Sequence, residues 1–346
     1  MVRSNAEVDP WKLNGCKLMW HPRLLAEWFE GKNPYPVYVE ISPSGRCNQR
    51  CIFCSFDYMG YKGGFISTRD LENCLCELSD GGTKSIMFAG EGEPFLHPDL
   101  PELIQFAKSW KLDIAITTNG TKIPRDLDFL KALSWIRFSI NAGSPSTYGH
   151  IHGCSPLLCR EVWNNLYSMV QYKKRNDSKC TIGVQTVLLE ENKDEIQQIA
   201  VMAKEAGADY YSVKPFTAHP LRVNKSPDYS QITISKLISD DKFKVIIRET
   251  AIKNLGRKRE YSECYGLDFF CYIDHNGEVW PCSNFLGVEG MSHGNIKNGF
   301  DNLWNNRGQV KRQIKLSDCR EICRLDEINK YLWQLKENRP EHLNFV

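Results

Sequence analysis

Apolar residues recur along the first two thirds of the chain in six short runs rich in β-branched and aromatic residues. Each run has the length of one buried strand, and stretches with apolar residues at helical spacing separate the runs. Strand alternating with helix predicts parallel βαβ units. The predicted strands span residues 37–42, 85–89, 112–117, 135–140, 182–188 and 210–214.

Two of the intervening helices have recognisable ends. Ser67 with Asp70 predicts a capped helix start, and Gly207 predicts the end of a helix that opens near Asn192 and Glu195. Six units suit an incomplete barrel better than a closed eightfold one. The predicted fold is therefore α/β, a partial (β/α)6 TIM-like barrel, with its chemistry at the carboxyl ends of the strands.

The remaining segments suggest three regions. Residues 1–36 are predicted to form a lead-in helix, and residues 37–262 form the barrel, with a helical stretch at about 231–256. Residues 263–346 are predicted to be a small cysteine-rich domain that ends in a helix.

The composition is typical of a globular protein and does not indicate a particular binding partner. Apolar content of 42% and charged content of 25% are ordinary for a globular protein, and a net charge of +2 calls for neither nucleic acid nor an anionic membrane. The first thirty residues hold no apolar signal core, and no run of about 18 apolar residues occurs. We therefore expect a cytoplasmic protein whose fourteen cysteines serve metal ligation rather than disulfides.

Three closely spaced cysteines lie in the loop after the first predicted strand. The spacing is Cys47-x3-Cys51-x2-Cys54. Thiolates this close can wrap three irons of a [4Fe–4S] cubane and leave the fourth iron open. Structural zinc is the alternative, but such sites usually recruit a fourth Cys or His nearby, and none follows here.

This loop resembles the signature of the radical S-adenosylmethionine (SAM) superfamily. The resemblance implies that SAM binds the open iron and is cleaved to a 5′-deoxyadenosyl radical, with Phe53 packing near the adenine. The run at 90–94 resembles the family's Gly-Gly-Glu-Pro motif, although Glu91 stands where the first glycine would. By this resemblance Gly92 lets the backbone approach SAM, and Glu93 holds its α-ammonium group.

Later strand ends are similar to the family's ribose and carboxylate contacts. The resemblance extends the SAM site to Asn119, Ser139, Asn141 and Gln185. Because Asn is a common turn residue, a turn role stays open for Asn119 and Asn141.

A basic segment follows the sixth strand and is a candidate substrate site. Lys214, His219 and Arg222 could bind a phosphate or carboxylate at the barrel mouth. Ordinary exposed charges are the alternative.

Five more cysteines follow the predicted barrel: Cys264, Cys271, Cys282, Cys319 and Cys323. The turn signal Asn276–Gly277 predicts a hairpin that returns Cys282 towards Cys264. With the Cys-x3-Cys pair at 319 and 323, four thiolates form a closed site. The pattern resembles the twitch domain, the short form of the family's SPASM extension, and implies one auxiliary [4Fe–4S] cluster. The cofactors expected are two [4Fe–4S] clusters and SAM, with zinc in the second site as the alternative.

Cys271 has no place in either cluster. It is either a buried small hydrophobe or, as in related epimerases, the hydrogen-atom donor that would make it catalytic. The substrate radical correspondingly has three fates: oxidation by the auxiliary cluster, return of hydrogen by a thiol, or rearrangement and coupling.

The layout resembles the branch of the family that contains an aminocyclitol dehydrogenase. It favours a small polar substrate such as a sugar, an aminocyclitol or a nucleoside, because only 46 residues precede Cys47 and peptide-modifying relatives usually carry an extra recognition domain. The resemblance also implies a flavodoxin or ferredoxin-type electron donor. A peptide-modifying or tRNA-modifying enzyme and a non-catalytic iron–sulfur or zinc protein stay open as alternatives.

Overall fold

Ten strands form one continuous sheet in the computed structural model, which describes residues 10–345 apart from 14, 62, 217–226 and 230–237. The spatial order is β10-β9-β8-β1-β2-β3-β4-β5-β6-β7. The strands are β1 (Tyr38–Ile41), β2 (Ser85–Phe88), β3 (Asp113–Thr118), β4 (Trp135–Ser139), β5 (Thr181–Leu188), β6 (Tyr210–Pro215), β7 (Lys244–Ile247), β8 (Phe270–Ile273), β9 (Glu278–Trp280) and β10 (Gly294–Asn295). The first six match the predicted strands to within one or two residues, and they pair in parallel as expected.

Some of the helices described cover the outer face of the parallel strands, and others pack on the cysteine-rich region. They are α1 (Pro22–Phe29), α2 (Thr68–Asp80), α3 (Leu100–Ser109), α4 (Pro145–His152), α5 (Leu158–Arg175), α6 (Ile196–Ala206), α7 (Glu249–Lys253), α8 (Phe300–Asn306), α9 (Gly308–Lys311) and α10 (Asp326–Lys336). The predicted cap is confirmed, since the Ser67 hydroxyl accepts a hydrogen bond from the Asp70 amide at 3.1 Å. Helix α6 ends at Gly207, which has φ = +84°. None of the helices described is long and apolar enough to cross a bilayer.

Part of the predicted helical stretch at 231–256 is a strand, and that prediction is wrong there. Residues 244–247 form β7, which pairs in parallel with β6. The run Val-Ile-Ile favours extended backbone, since β-branched side chains lose rotamer freedom in a helix. The short α7 at 249–253 is helical, as predicted for this stretch.

The C-terminal hairpin extends the barrel sheet. Its turn contains Gly277 with φ = +82°, as the Asn-Gly signal predicts. Strand β8 pairs in parallel with β1, with Cys271 opposite Val39, and β9 then pairs with β8 in the antiparallel sense. The cysteine-rich region therefore shares one sheet with the barrel.

Successive side chains along the parallel strands point to opposite faces of the sheet. One set, including Val39, Ile86 and Ile136, is fully buried in the large core beneath α2 to α6. The other set faces the lumen of the partial barrel, where Met87 and Ala115 form a small apolar floor. The lumen face carries the polar side chains described below.

The lead-in helix packs on the cysteine-rich region. Leu25 of α1 shares a core cluster with Phe269 and with Leu332 of α10. The Trp28 indole donates to the Asp268 carboxylate at 2.9 Å. Helices α1 and α10 thus both pack against the region that contains the second set of cysteines.

Candidate iron–sulfur and SAM site

The loop that follows β1 gathers three thiols at the carboxyl end of the strand. Cys47, Cys51 and Cys54 are each half-buried. Burial raises the pKa of Cys47 to about 11, and burial, followed by the thiols of Cys54 and Cys47, raises the pKa of Cys51. Metal binding overcomes such shifts because a coordinating thiol is deprotonated outright. Three soft thiolates on one loop fit the open [4Fe–4S] cluster.

A buried polar cluster fixes this loop to α4. His152 is fully buried, which lowers its pKa to about 3, so the ring is neutral. The Gln49 amide oxygen lies 3.0 Å from Nδ1 of His152, and the Gln49 amide nitrogen donates to the Tyr148 hydroxyl at 2.9 Å. Nδ1 of His152 also lies 3.4 Å from the Cys51 sulfur. Gln49 and His152 therefore orient the middle cysteine, a role that cysteine spacing does not reveal.

The loop after β2 approaches the cysteine loop through glycine and ends at a buried carboxylate. A Cβ on Gly92 would lie 2.2 Å from the carbonyl oxygen of Arg46, so no larger residue fits. The Glu93 carboxylate accepts hydrogen bonds from the Thr118 hydroxyl and the Asn119 amide, each at 2.6 Å. Burial raises the pKa of Glu93 to about 7. A cationic ligand would restore its charge, as the SAM ammonium would.

Glu91 links this loop to the tip of the C-terminal hairpin. Its buried carboxylate pairs with Nδ1 of His275 and accepts from the Tyr272 hydroxyl at 3.4 Å. The carboxylate raises the pKa of His275, because it favours the charged ring. Where this chain departs from the family's glycine, it gains a buried contact between the SAM loop and the cysteine-rich region.

The second set of cysteines converges at the base of the hairpin. The thiols of Cys323, Cys264 and Cys319 all raise the pKa of Cys282, although burial is the largest cause. Among the residues described, no three Cys, His or carboxylate side chains are arranged to hold a single metal ion. A cubane instead distributes its thiolates over four irons.

The two sets of thiols lie at opposite ends of the β1–β8 pair. The first set follows β1, at its carboxyl end. Cys264 precedes β8, and Cys282 follows the antiparallel β9, which places both at the amino end of β8. The lumen-facing side chains of β8, Phe270 and Tyr272, pack in the same cluster as Cys264 and Cys282.

Arg320 lies between the two sets of thiols. Its guanidinium donates to the carbonyl of Ser55, the residue after Cys54, at 3.3 Å. Burial lowers the pKa of Arg320, and the nearby Tyr58, Cys282 and Cys54 partly offset that effect. Arg320 belongs to the Cys319-x3-Cys323 motif, and the spacing of that motif does not predict a hydrogen bond to the first cysteine loop.

The predicted SAM contacts have different surroundings. Phe53 packs beside Ile151 and Val187, with its ring edge on His152. The side-chain oxygen of Asn119 accepts from the Thr121 amide at 2.9 Å, and that of Asn141 accepts from the Val187 amide at 2.6 Å. The Asn119 contact is local and of the turn kind, whereas the Asn141 contact joins β5 to the end of β4. Contact of either asparagine with SAM stays a prediction.

Other predicted residues face the lumen or lie outside the described chain. Ser139 pairs with Gln185 across β4 and β5, on the lumen face, and Lys214 lies on the lumen face of β6. His219 and Arg222 fall outside the described residues.

Cys271 faces away from the lumen. It is fully buried in the large core with Val39, Cys74 and Trp304, on the helix-covered face of the sheet. Burial raises its pKa strongly. This position supports the packing role rather than hydrogen donation into the lumen.

The fold and the two sets of thiols together define an enzyme of the iron–sulfur, SAM-cleaving class. Residues 41–203 match the radical SAM superfamily, and residues 264–326 match the iron–sulfur cluster-binding SPASM domain. The chain belongs to the radical SAM superfamily and carries a C-terminal SPASM-type domain.

Curated relatives and a solved structure agree with this assignment. The AdoMet-dependent heme synthase of Methanosarcina barkeri is 25% identical over 81% of this chain and 85% of its own. The tungsten-containing aldehyde ferredoxin oxidoreductase cofactor-modifying protein of Pyrococcus furiosus is 27% identical over 72% and 71%. Streptococcus suis SuiB bound to S-adenosylmethionine is 18% identical, with a TM-score of 0.60 over 85% of this chain and 71% of that one.

We predict that reconstituted protein binds about eight irons, as two cubanes, and loses roughly half when Cys47, Cys51 and Cys54 are all replaced by Ala. Replacing Cys264, Cys282, Cys319 and Cys323 should remove the other half. Iron and sulfide analysis with Mössbauer spectroscopy measures this. A single cluster in the wild type contradicts the assignment of the second site.

Glu93→Gln should weaken SAM binding by roughly 10- to 100-fold, because a charge-assisted hydrogen bond contributes about 1.5–3 kcal/mol. Wild-type affinity should rise as the pH rises through about 7, the pKa of Glu93, since the ionised carboxylate attracts the ammonium. The variant should lose that component. Equilibrium binding at equal iron content measures both effects, and unchanged affinity contradicts the role of Glu93.

Arg320→Gln should make the reduction potentials of both clusters more negative, because a nearby cation stabilises the reduced state. Arg259→Gln is the matched control. Arg259 donates to the carbonyls of Leu316 and Arg320, and its charge interacts with Cys319 and Cys323. It should therefore shift the auxiliary potential alone. Redox titration followed by EPR separates these outcomes, and an unmoved first-cluster potential in Arg320→Gln refutes the bridging position.

Proposed function

We propose that this radical SAM enzyme oxidises a small polar substrate held in the barrel lumen, with the auxiliary cluster as electron acceptor. The observation that carries the proposal is the placement of the two sets of thiols at opposite ends of the β1–β8 pair, with lumen-facing residues of β8 packed beside the second set. In the proposal, the substrate lies in the lumen between these two ends.

The proposed SAM site is built by residues that bind and orient. When bound, the first cluster and SAM supply a 5′-deoxyadenosyl radical. Gln49 and His152 hold Cys51 in place, Gly92 allows close approach of the backbone, and Glu93 holds the ammonium group. Ser139 and Gln185 present polar side chains to the lumen just beyond this loop.

The proposed oxidation balances without a thiol donor. A substrate in the lumen would lose one hydrogen atom to the radical derived from SAM, then one electron to a cluster held by the second set of thiols and one proton to solvent. The outward position of Cys271 supports this outcome over epimerisation, which needs a hydrogen donor in the lumen. A flavodoxin or ferredoxin-type protein is the proposed source of the electron that starts each cycle.

A peptide substrate is the second candidate, and one observation favours it. SuiB, which shares the fold, is described in a complex with its precursor peptide SuiA. At 17% sequence identity the likeness to SuiB shows a shared fold alone, so a small molecule stays the main proposal.

The experiment is a screen for 5′-deoxyadenosine release above the substrate-free background, across sugars, aminocyclitols, nucleosides and short peptides. The active compound is then turned over in deuterated water. Oxidation should give a product that lacks a pair of hydrogen atoms and carries no solvent deuterium at the reacting carbon. Deuterium at that carbon, with no loss of hydrogen, contradicts the proposal in favour of epimerisation.

Cys271→Ala should keep turnover with the compound found in that screen, and should lower the free energy of unfolding by about 1 kcal/mol through lost packing. Cys74→Ala, a neighbouring core thiol on α2, is the matched control and should behave alike. Product analysis and denaturant titration measure the two effects. Loss of product with continued 5′-deoxyadenosine release, in Cys271→Ala alone, would overturn the packing role.

A further inference from the structure

The lumen face of the barrel is accessible and polar in the middle of the sheet. Along β4 the fully buried Ile136 and Phe138 alternate with the partly exposed Trp135, Arg137 and Ser139. Because neighbouring helices cover the first set, the exposure of the second set comes from the lumen.

Adjacent strands continue this polar face. Ser139 pairs with Gln185, Gln185 pairs with Ser212, and Lys214 lies two residues beyond Ser212 on the same face. The Ser212 hydroxyl and Nε of Arg137 are buried without a hydrogen-bond partner among the residues described. Buried polar atoms are normally paired, so each unpaired one calls for an explanation.

Positive charge is concentrated here. Burial, followed by the charges of Arg137 and Arg248, lowers the pKa of Lys214 to about 7. Arg137 comes from β4, Lys214 from β6, and Arg248 directly follows β7. Three strands thus direct cations to one part of the lumen.

Within the described part of the chain, no carboxylate forms a salt bridge with Arg137 or Lys214. Glu40, on the lumen face of β1, pairs instead with Arg324 of the cysteine-rich region. Asp209 pairs with Lys173 of α5. Holding Arg137 and Lys214 partly buried without a carboxylate partner is unfavourable, so the arrangement suits an anion that arrives from solution.

We infer that this part of the lumen binds an anionic group of the substrate, a carboxylate or a phosphate, through Arg137 and Lys214, with Ser212 and Gln185 completing its hydrogen bonds. The inference rests on the proposed function in placing the substrate in the lumen. Arg137 also donates to the Thr117 hydroxyl at 3.3 Å, which orients its guanidinium.

The carboxylate of SAM is another source of the same chemistry, and saturating SAM separates the two. The test measures binding of inorganic phosphate by calorimetry to anaerobic holoenzyme already loaded with SAM. Wild type should bind phosphate, and Lys214→Gln and Arg137→Gln should each weaken it by about tenfold or more. Arg175→Gln, at the exposed end of α5, is the matched control and should change nothing.

Affinity for SAM is measured in the same variants. The SAM affinity of each variant should stay within about twofold of wild type, because Arg137 and Lys214 bind the anion of the substrate and not the carboxylate of SAM. Weaker SAM binding in both variants, with no phosphate bound by the SAM-loaded wild type, assigns the cations to SAM and overturns the inference. An equal loss of phosphate binding in Arg175→Gln also overturns it.

Ser212→Ala keeps the test decisive if a charge variant fails to retain its iron. This variant preserves every charge and should weaken phosphate binding several-fold by removing one hydrogen bond. Unchanged phosphate binding in Ser212→Ala counts against the site. Since binding needs no turnover, failure of the substrate screen and failure of this inference are separate results.

Discussion

The parallel pairing of β8 with β1 is the constraint on which the arrangement of this molecule depends. A parallel pair sets the carboxyl end of one strand beside that of the other. The three-cysteine loop follows β1, whereas Cys264 and Cys282 lie at the opposite end of the hairpin. An antiparallel junction would have brought the two sets of thiols together and removed the lumen from between them.

Side-chain contacts hold this junction at three levels. At the carboxyl end, Glu91 pairs with His275, and within the lumen Glu40 pairs with Arg324. Arg320 reaches from the auxiliary cysteines to the carbonyl of Ser55. Each contact joins the barrel to the cysteine-rich region, so side-chain contacts as well as backbone pairing set the relative position of the two sites. Only Glu91 and His275 are both buried among these three contacts, and removing one partner of a buried pair typically costs several kcal/mol.

Local patterns were sufficient to predict much of the fold and the thiol chemistry. The six parallel strands, the cap at Ser67 and the turn at Gly277 each depend on residues close in sequence. The cysteine spacing and the Gly-Glu-Pro run likewise identify the SAM loop without reference to distant residues.

Features that depend on distant residues were not predictable in this way. Strand β7 lay within a predicted helix because its extended form is stabilised by pairing with β6. His152 and Gln49, which contact each other, are 103 residues apart in the sequence. Arg320 and Ser55, which are hydrogen-bonded, are 265 residues apart. The face on which Cys271 lies follows from its register with Val39, which no local spacing records.

The central claim is that the cluster at the carboxyl end of β1 cleaves SAM, while the site at the far end of the lumen does not. The direct measurement is 5′-deoxyadenosine released on chemical reduction by Cys51→Ala and Cys282→Ala, each compared with wild type at known iron content. We expect no release from Cys51→Ala and near wild-type release from Cys282→Ala in the absence of substrate. Release that survives in Cys51→Ala, or that vanishes in Cys282→Ala with the first cluster intact, would contradict this division between the two sites.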